Sequence, residues 1–220
     1  MRRSHRPLVG IAFVAMAILL MTGQDAILKW MAAGYATMQI LAIRGTVVAL
    51  IAIAVVWMEG GVSQLRTTRP WGHAVRCLLN VVTVALFVTA VGRLPLADVM
   101  AIVMAAPLFT LALSTLLLGE RVGPRRWLAC IVGFAGVLVM LRPSGGAFNL
   151  GGAAALASSF GYSLMVIQTR SLTSSEGTGT MLFYPAVTVL TVSTLCAPFY
   201  WVTPLWSDVA LLLFAGLIVG

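Results

Sequence analysis

Charge is scarce in this chain: only 9% of its 220 residues are charged, and six of them are acidic. Soluble domains carry about 25% charged residues, so the chain lacks the polar surface that a water-soluble globule needs. Hydrophobic residues make up 60% of the sequence, and the mean hydropathy is +1.03. The composition therefore excludes a soluble domain and predicts an integral membrane protein.

Cysteine and histidine are also rare, with three and two residues respectively. Cys77, Cys130 and Cys196 fall inside apolar runs, and their odd number argues for small core residues rather than a disulfide framework or a metal site. His5 and His73 stand alone at loop or helix-end positions, and neither a nucleophile elbow nor a phosphate-binding glycine loop occurs. We therefore expect no enzyme activity, no metal site and no cofactor.

The net charge of +8 comes from 14 basic residues, which are scattered singly or in short groups between apolar runs. They form no contiguous basic face and do not interleave with aromatic residues. This distribution argues against nucleic acid as a partner.

Apolar residues occupy consecutive positions in long runs, a pattern that favours membrane-spanning helices over barrel strands. A spanning helix needs about 20 mostly apolar residues. The sequence predicts an all-α, polytopic membrane helix bundle with eight spans and short loops: Leu8–Leu28, Thr37–Met58, Trp71–Val91, Leu96–Leu118, Arg126–Leu141, Leu150–Gln168, Met181–Val202 and Asp208 onward.

The eighth predicted span is short. It has twelve apolar residues from Val209 to Gly220, about 18 Å of helix, which is less than the thickness of a bilayer. We expect the full protein to continue beyond Gly220.

Basic residues are divided unevenly between the two sides of the membrane that these spans define. Ten lie on the side of the N-terminus and three on the other, while Arg44 lies within a span. Because basic residues accumulate on the cytoplasmic side, the N-terminus is predicted to be cytoplasmic. The ten are Arg2, Arg3, Arg6, Arg66, Arg69, Arg76, Arg121, Arg125, Arg126 and Arg170; the three are Lys29, Arg93 and Arg142.

The chain has two weakly similar halves on either side of a turn-like stretch from Arg142 to Gly146. The letters LVG open the first span and LGG the sixth, and Thr37-Met38 and Thr180-Met181 open the spans that follow. A unit of five spans is odd in number, so the second unit would be inverted relative to the first, as in many secondary transporters. We predict one repeat over residues 1–143 and a second, incomplete repeat over 147–220.

The run RLPLADVMAIVMAAPLFTLALSTLLLGERVGPRRWLACIVGFAGVLVMLRP, from Arg93 to Pro143, closely resembles the end of the first repeat in EamA-type proteins of the drug/metabolite transporter superfamily. The resemblance rests on the LPLAD entry at 94–98, the APLF centre at 106–109, the GER exit at 119–121 and the GFAGV step at 133–137. It extends with lower specificity along the whole chain.

The resemblance implies ten helices in two inverted five-helix repeats, of which about seven and a half would be present here. Members of the family move amino acids, nucleosides, vitamins such as riboflavin, or S-adenosylmethionine, in either direction. It therefore implies a secondary transporter of a small polar metabolite in the bacterial inner membrane, working by alternating access. The expected partners are this small molecule and the lipid bilayer, and a homodimer is left open. The alternatives are a non-transporting membrane scaffold and an inactive fragment.

Pro107 lies in the middle of the fourth span, where it removes one backbone hydrogen bond and its ring clashes with the preceding turn. We predict that the helix kinks or unwinds there. Two roles stay open: a hinge that exposes a carbonyl to a cavity, and a packed kink of the kind that membrane helices tolerate.

Three charges lie within spans near the predicted outer side: Asp25, Lys29 and Arg44. Each costs at least about 2.5 kcal/mol at the membrane centre unless it finds a partner or water. Asp25 and Lys29 are four residues apart and can pair on one helix face. Arg44 lies two turns below the outer end, at roughly 12 Å depth, which brings it level with Asp25. We predict that Asp25 and Arg44 interact as a gate, as an anchor for an anionic substrate group, or as a structural ion pair.

Isolated polar side chains within the spans are further candidates to line a substrate cavity, although each could instead hydrogen-bond to a neighbouring helix. They are Gln24, Asn80, Thr83, Tyr162, Gln168 and Tyr184, of which the two tyrosines are favoured for stacking on a ligand. The sixth span also carries a small residue at every fourth position, which predicts close packing on a neighbouring helix: Gly151, Ala155, Ser159 and Ser163.

Overall fold

The computed structural model of the protein describes residues 7–67, 69–119, 122–141, 150–173 and 176–220. Within these ranges the regular structure is helical and contains no strand. Two 3-10 helices, Gly61–Leu65 and Ala197–Tyr200, lie beside the loops. The α-helices in chain order are α1 (Pro7–Met31), α2 (Thr37–Met58), α3 (Pro70–Arg93), α4 (Leu96–Val103), α5 (Ala106–Leu118), α6 (Pro124–Leu141), α7 (Leu150–Thr173), α8 (Thr178–Cys196) and α9 (Trp206–Val219).

Among the residues that the structure describes, six helical stretches are long and apolar enough to cross a membrane: α1, α2, α3, α4 with α5, α7, and α8 with the 3-10 helix that follows it. α6 has 18 residues and α9 has 14. The predicted polytopic all-α membrane bundle is confirmed. The predicted spans fall on helices whose ends are displaced by a few residues, and the fourth span covers two of them.

The fourth predicted span is two helices, because α4 ends at Val103 and α5 begins at Ala106. Pro107 lacks a backbone N–H, and its ring clashes with the carbonyl of the residue four positions earlier, which is Val103. The helix is therefore interrupted next to this proline, as the sequence predicts.

Serine side chains of α7 contact the carbonyls at this break. Ser159 Oγ donates to the Val103 oxygen at 3.3 Å, and Ser163 Oγ donates to the Ala106 oxygen at 2.9 Å. Both serines belong to the small-residue stripe of α7, and all four of its members are buried. The stripe therefore packs α7 closely on α4 and α5, and it also supplies hydrogen bonds to carbonyls at the break, including the Val103 carbonyl that Pro107 cannot bond.

Gly119 ends α5 in the left-handed conformation, with φ at 66°. Glycine is favoured at this position because it has no Cβ to clash. Gly119, the first residue of the GER motif at 119–121, therefore lies at the end of the fourth span, as predicted. Glu120 and Arg121 lie outside the described residues.

α2 lies at the centre of the bundle and packs against α8 and α9, while α3 packs along α7. The contact between α2 and α9 is close at Gly216, where an added Cβ would lie 2.6 Å from the Arg44 carbonyl oxygen and 3.0 Å from Val47 Cβ. Only glycine fits there without displacing α2. The backbone around Arg44 is therefore held by a neighbouring helix.

One end of the bundle, the predicted outer end, is closed by apolar side chains. Six buried residues of α1, α2, α3 and α9 form a cluster here called the apolar plug: Leu28, Met31, Ile40, Leu41, Val88 and Leu212. A second buried cluster joins the end of α3 to α4 and the start of α7, through Val91, Leu94, Val99 and Ala155.

Hydrogen bonds between loops reinforce the closure of this end. Gln39 is fully buried, and its side-chain amide donates to the Val202 oxygen at 2.5 Å and accepts from the Val202 N–H at 3.0 Å. Tyr35 donates to Asp208 Oδ2 at 2.5 Å, and this hydrogen bond raises the pKa of the Tyr35 phenol. The loop after α1 is thereby tied to the connection between α8 and α9.

Candidate functional site

Asp25 of α1 and Arg44 of α2 lie near each other but too far apart for a direct ion pair, so their predicted interaction remains a prediction. Arg44 is only partly exposed, and its guanidinium makes no hydrogen bond to any residue that the structure describes. Gln24 is 5% exposed, and its Nε2 donates to Asp25 Oδ1 at 3.1 Å. Arg44 is thus a membrane-embedded cation whose donors are free of protein acceptors among the described residues.

Lys29 does not pair with Asp25, contrary to the local pairing considered above. Its Nζ donates to the Val91 and Leu94 oxygens, both at 2.7 Å. Carbonyls at a helix C-terminus lack intrahelical partners and attract cations, so the end of α3 competes successfully for the ammonium group. Asp25 is left with Arg44 as its cationic neighbour.

Five candidates lie on the same side of the apolar plug. α1 and α3 run toward the plug, and their candidates come before the plug residues Leu28 and Val88 in the chain. α2 runs away from the plug, and Arg44 comes after the plug residue Leu41. The polar groups therefore sit near the middle of the bundle, separated from the predicted outer end by buried apolar side chains. They are Gln24, Asp25, Arg44, Asn80 and Thr83.

Thr83 is 6% exposed, and its Oγ1 has no hydrogen-bond partner among the described residues. Gly161 of α7 lies directly against it, so that a Cβ at position 161 would collide with Thr83 Oγ1. Asn80 lies one turn earlier on α3 and is partly buried. This part of α3 therefore places polar side chains against α7, but the Thr83 hydroxyl forms no hydrogen bond with any described residue.

Gly161→Ala is expected to destabilise the protein by about 1–3 kcal/mol, because overpacking a helix contact forces side chains and backbone to shift. Adding Thr83→Ala should restore most of the loss, since it removes the colliding atom and a hydroxyl that has no partner. Unfolding of the purified protein in detergent measures both effects. Gly133→Ala serves as the control, because a Cβ there meets nothing within 4 Å. Equal stability of the Gly161 and Gly133 variants would contradict the contact.

Tyr184 has a structural contact and is not a free stacking ring. Its hydroxyl donates to the Leu65 oxygen at 2.7 Å, and its ring packs on His73 with centroids 5.0 Å apart. It lies at the end of the bundle opposite the apolar plug, apart from the polar groups of α1 and α2. The tyrosine holds the 3-10 helix Gly61–Leu65 against α8.

A buried histidine and a buried carboxylate lie close together beside Tyr184, a contact that the sequence does not predict. His73 Nε2 lies 3.6 Å from Glu176 Oε2, and both side chains are nearly inaccessible, at 4% and 3%. Thr67 Oγ1 donates to Glu176 Oε1 at 2.8 Å, and the Gly179 N–H donates to Glu59 Oε2 at 2.7 Å. These contacts join the loop before α3 to the start of α8.

Arg76 extends the same cluster toward the middle of α3. Its Nη1 donates to the Met181 oxygen at 2.6 Å, and its Nε donates to Thr169 Oγ1 at 3.1 Å. Pro185 lies four residues after Met181 inside α8 and cannot bond that carbonyl. Arg76 thus satisfies a carbonyl freed by a proline, as Ser159 does at Val103.

A cavity of about 400 Å³ lies between α5, α6 and α7. Pro107 and Tyr162, two of the predicted site residues, lie in its wall together with the hydroxyl-bearing Thr110 and Ser114. Arg126 and Arg170 also line the cavity, which reaches the α5–α6 connection at Val122. Its volume lies within the range of about 300–1,000 Å³ that is usual for small-molecule sites.

Within the described part of the chain, no group of three His, Cys, Asp or Glu residues is arranged to hold a metal ion. The described residues that line the cavity include no carboxylate. The charged side chains among the described lining residues of the cavity are both arginines, Arg126 and Arg170.

The model of the EamA-like transporter family matches residues 8–142, which is more than half of the chain. The chain belongs to the EamA-like transporter family. The riboflavin transporter of Vibrio cholerae is similar, with 30% identity over 218 residues that cover 95% of this chain and 71% of that protein. The S-adenosylmethionine uptake transporter of Rickettsia bellii is 26% identical over 208 residues, which cover 94% of this chain and 71% of that protein.

A riboflavin transporter of Rhizobium johnstonii is 31% identical over 163 residues, which cover 73% of this chain and 53% of that protein. A solved crystal structure of another protein matches with a TM-score of 0.65 and 21% identity, covering 92% of this chain and 74% of the other. That likeness shows the fold alone. The chain is thus a multi-pass bacterial membrane protein from a family of metabolite transporters.

The predicted site residues of this EamA-like protein lie in three different parts of the structure. Asp25, Gln24 and Arg44 lie beside the apolar plug; Pro107 and Tyr162 share the cavity; Tyr184 belongs to the opposite end. The sequence predicts neither that Arg126 and Arg170 line a cavity nor that His73 contacts Glu176. In the sequence the two arginines serve only as signals of membrane orientation. His73 and Glu176 lie about a hundred positions apart, so no local pattern indicates their contact.

Proposed function

We propose that this EamA-like protein carries a small polar metabolite across the bacterial inner membrane by alternating access. The observation that carries the proposal is the cavity of about 400 Å³ beside the broken α4–α5 span, with Pro107 and Tyr162 in its wall. Transporters commonly place their substrate sites at discontinuous helices near the middle of the bilayer. The site residues named from the sequence remain candidates for contacts with substrate.

Closure differs between the two ends of the bundle. The apolar plug and the Gln39–Val202 hydrogen bonds close the predicted outer end, while the cavity extends to the α5–α6 connection at the other end. In the proposed mechanism this arrangement is the state that opens to the cytoplasm. The orientation follows from the ten-to-three distribution of basic residues, which favours a cytoplasmic N-terminus.

Helix packing supports the proposal that residues 1–143 and 147–220 are inverted repeats. If α1, α2 and α3 correspond to α7, α8 and α9, the contact of α3 with α7 corresponds to that of α9 with α1. The contact of α2 with α9 likewise corresponds to that of α8 with α3. Alternating access would then consist of rocking one unit against the other.

Substrate transport is tested by expressing the protein in bacteria and profiling metabolites in cells and medium against cells with an empty vector. Riboflavin and S-adenosylmethionine are measured first, because similar proteins carry those names. We expect at least one metabolite to shift across the membrane. Correctly inserted protein that moves no metabolite, in cells or in proteoliposomes, would favour a scaffold role instead.

A further inference from the structure

The cavity between α5, α6 and α7 contains two cations that the proposed transport function leaves unexplained. Arg126 begins α6 and Arg170 lies near the end of α7, and both line the cavity. Neither guanidinium makes a hydrogen bond or an ion pair within the part of the chain that the structure describes. Their donors are therefore available to a ligand.

The remaining polar groups of the cavity fit an anionic ligand. Thr110 adds a hydroxyl-bearing side chain to the wall, whereas the Ser114 hydroxyl donates to the Leu111 oxygen of its own helix at 3.0 Å. The described lining residues include no carboxylate that would neutralise the arginines. Tyr162 is 48% exposed and lies in the same wall, so its ring offers a flat apolar surface. A cation would meet two like charges here.

We propose that this cavity binds a phosphate group through Arg126 and Arg170, with the rest of the ligand lying against Tyr162. Guanidinium groups form paired, charge-assisted hydrogen bonds with phosphate oxygens, and a phosphate carries close to two negative charges at neutral pH, which matches two arginines. The inference rests on the proposed function where the phosphate belongs to a transported metabolite. An anionic phospholipid headgroup offers the same chemistry from the surrounding membrane.

Flavin mononucleotide and riboflavin form a suitable pair of probes because they differ only by a phosphate. S-adenosylmethionine, which carries a sulfonium cation, serves as the probe of opposite charge. The protein is placed in nanodiscs of phosphatidylcholine, and the dissociation constant of each probe is measured by calorimetry. We expect flavin mononucleotide to bind about tenfold more tightly than riboflavin, and S-adenosylmethionine to bind most weakly.

The variants Arg126→Gln and Arg170→Gln should each remove most of the preference for flavin mononucleotide and change riboflavin binding less than about twofold. Arg125→Gln is the matched control, because Arg125 is an exposed neighbour on α6 that does not line the cavity. The preference should also weaken as the salt concentration rises, since exposed charges are screened.

The source of the phosphate is identified in nanodiscs that contain phosphatidylglycerol. Weaker binding of flavin mononucleotide there, together with lipid retained by the wild type but not by Arg126→Gln in native mass spectrometry, would assign the site to a lipid headgroup. Unchanged binding would assign it to a phosphorylated metabolite. Equal affinity for flavin mononucleotide and riboflavin, with no lipid retained, would overturn the proposal.

Binding and transport measurements together distinguish a wrong phosphate site from a wrong transport function. Proteoliposomes are tested for uptake with the metabolite that the profiling identifies. Transport without any preference for phosphate would refute the phosphate site alone. A preference for phosphate without transport of any metabolite would leave the site intact and refute the carrier.

Discussion

Arg44→Ala is expected to lower transport by about 10- to 100-fold, the effect of losing a hydrogen bond from a charged group to the substrate or the gate. The same change should leave the protein at least as stable as the wild type. The guanidinium has no hydrogen-bond acceptor among the described residues and no direct ion pair there, so it contributes little that the fold would lose. A charge within a membrane helix costs at least about 2.5 kcal/mol, and alanine removes that cost.

Transport is measured in proteoliposomes, and stability is measured by thermal unfolding in detergent. Arg44→Lys keeps the charge and should retain more transport than alanine. Arg93→Ala is the matched control, because Arg93 is an exposed cation at the end of α3. Full transport by Arg44→Ala would show that Arg44 is not part of the transport machinery, and a marked loss of stability would show that its coupling to Asp25 is structural.

The sequence predicted the spans well, because long runs of apolar residues leave a chain few alternatives in a membrane. The break near Pro107 was also predicted, since a missing N–H and a ring clash act locally. The partners at the break could not be predicted: Ser159 was named only for its small size, whereas its hydroxyl also donates to the Val103 oxygen.

Long-range polar contacts were beyond what the sequence could predict. Lys29 has a carboxylate four residues away, yet it binds two carbonyls that lie 62 and 65 residues later in the chain. Glu176 and His73 likewise meet only through the packing of α3 against α7. Spacing within one helix identifies which groups can pair locally, but it does not reveal the competing partners that folding brings near.

Glu176→Gln is expected to loosen the end of the bundle that lies opposite the apolar plug. The amide oxygen can still accept from Thr67, but the carboxylate that faces His73 is lost. Replacing the carboxylate weakens the polar contact of a buried ring, and weakening such a contact between buried groups is destabilising. We expect local opening to become about 1–3 kcal/mol easier, which corresponds to about a 5- to 150-fold increase in the open population.

Cys77 provides a natural reporter of this opening, because it lies one turn after His73 on α3 and is 6% exposed. With Cys130 and Cys196 replaced by serine, the rate at which maleimide labels Cys77 should rise in Glu176→Gln. His73→Phe keeps a ring against Tyr184 and should increase labelling by a similar factor. The double variant should label Cys77 little faster than either single variant, since each change removes the same interaction.

Glu59→Gln is the matched control at the same end. Its amide oxygen can still accept from the Gly179 N–H, and Glu59 has no ion pair with His73, so labelling of Cys77 should change little. If Glu176→Gln and Glu59→Gln label at the wild-type rate, the buried pair does not hold this end closed. If Glu176→Gln alone opens it, the pair stabilises contact between α3 and the start of α8. Opening of this contact would then be one of the rearrangements that alternating access requires.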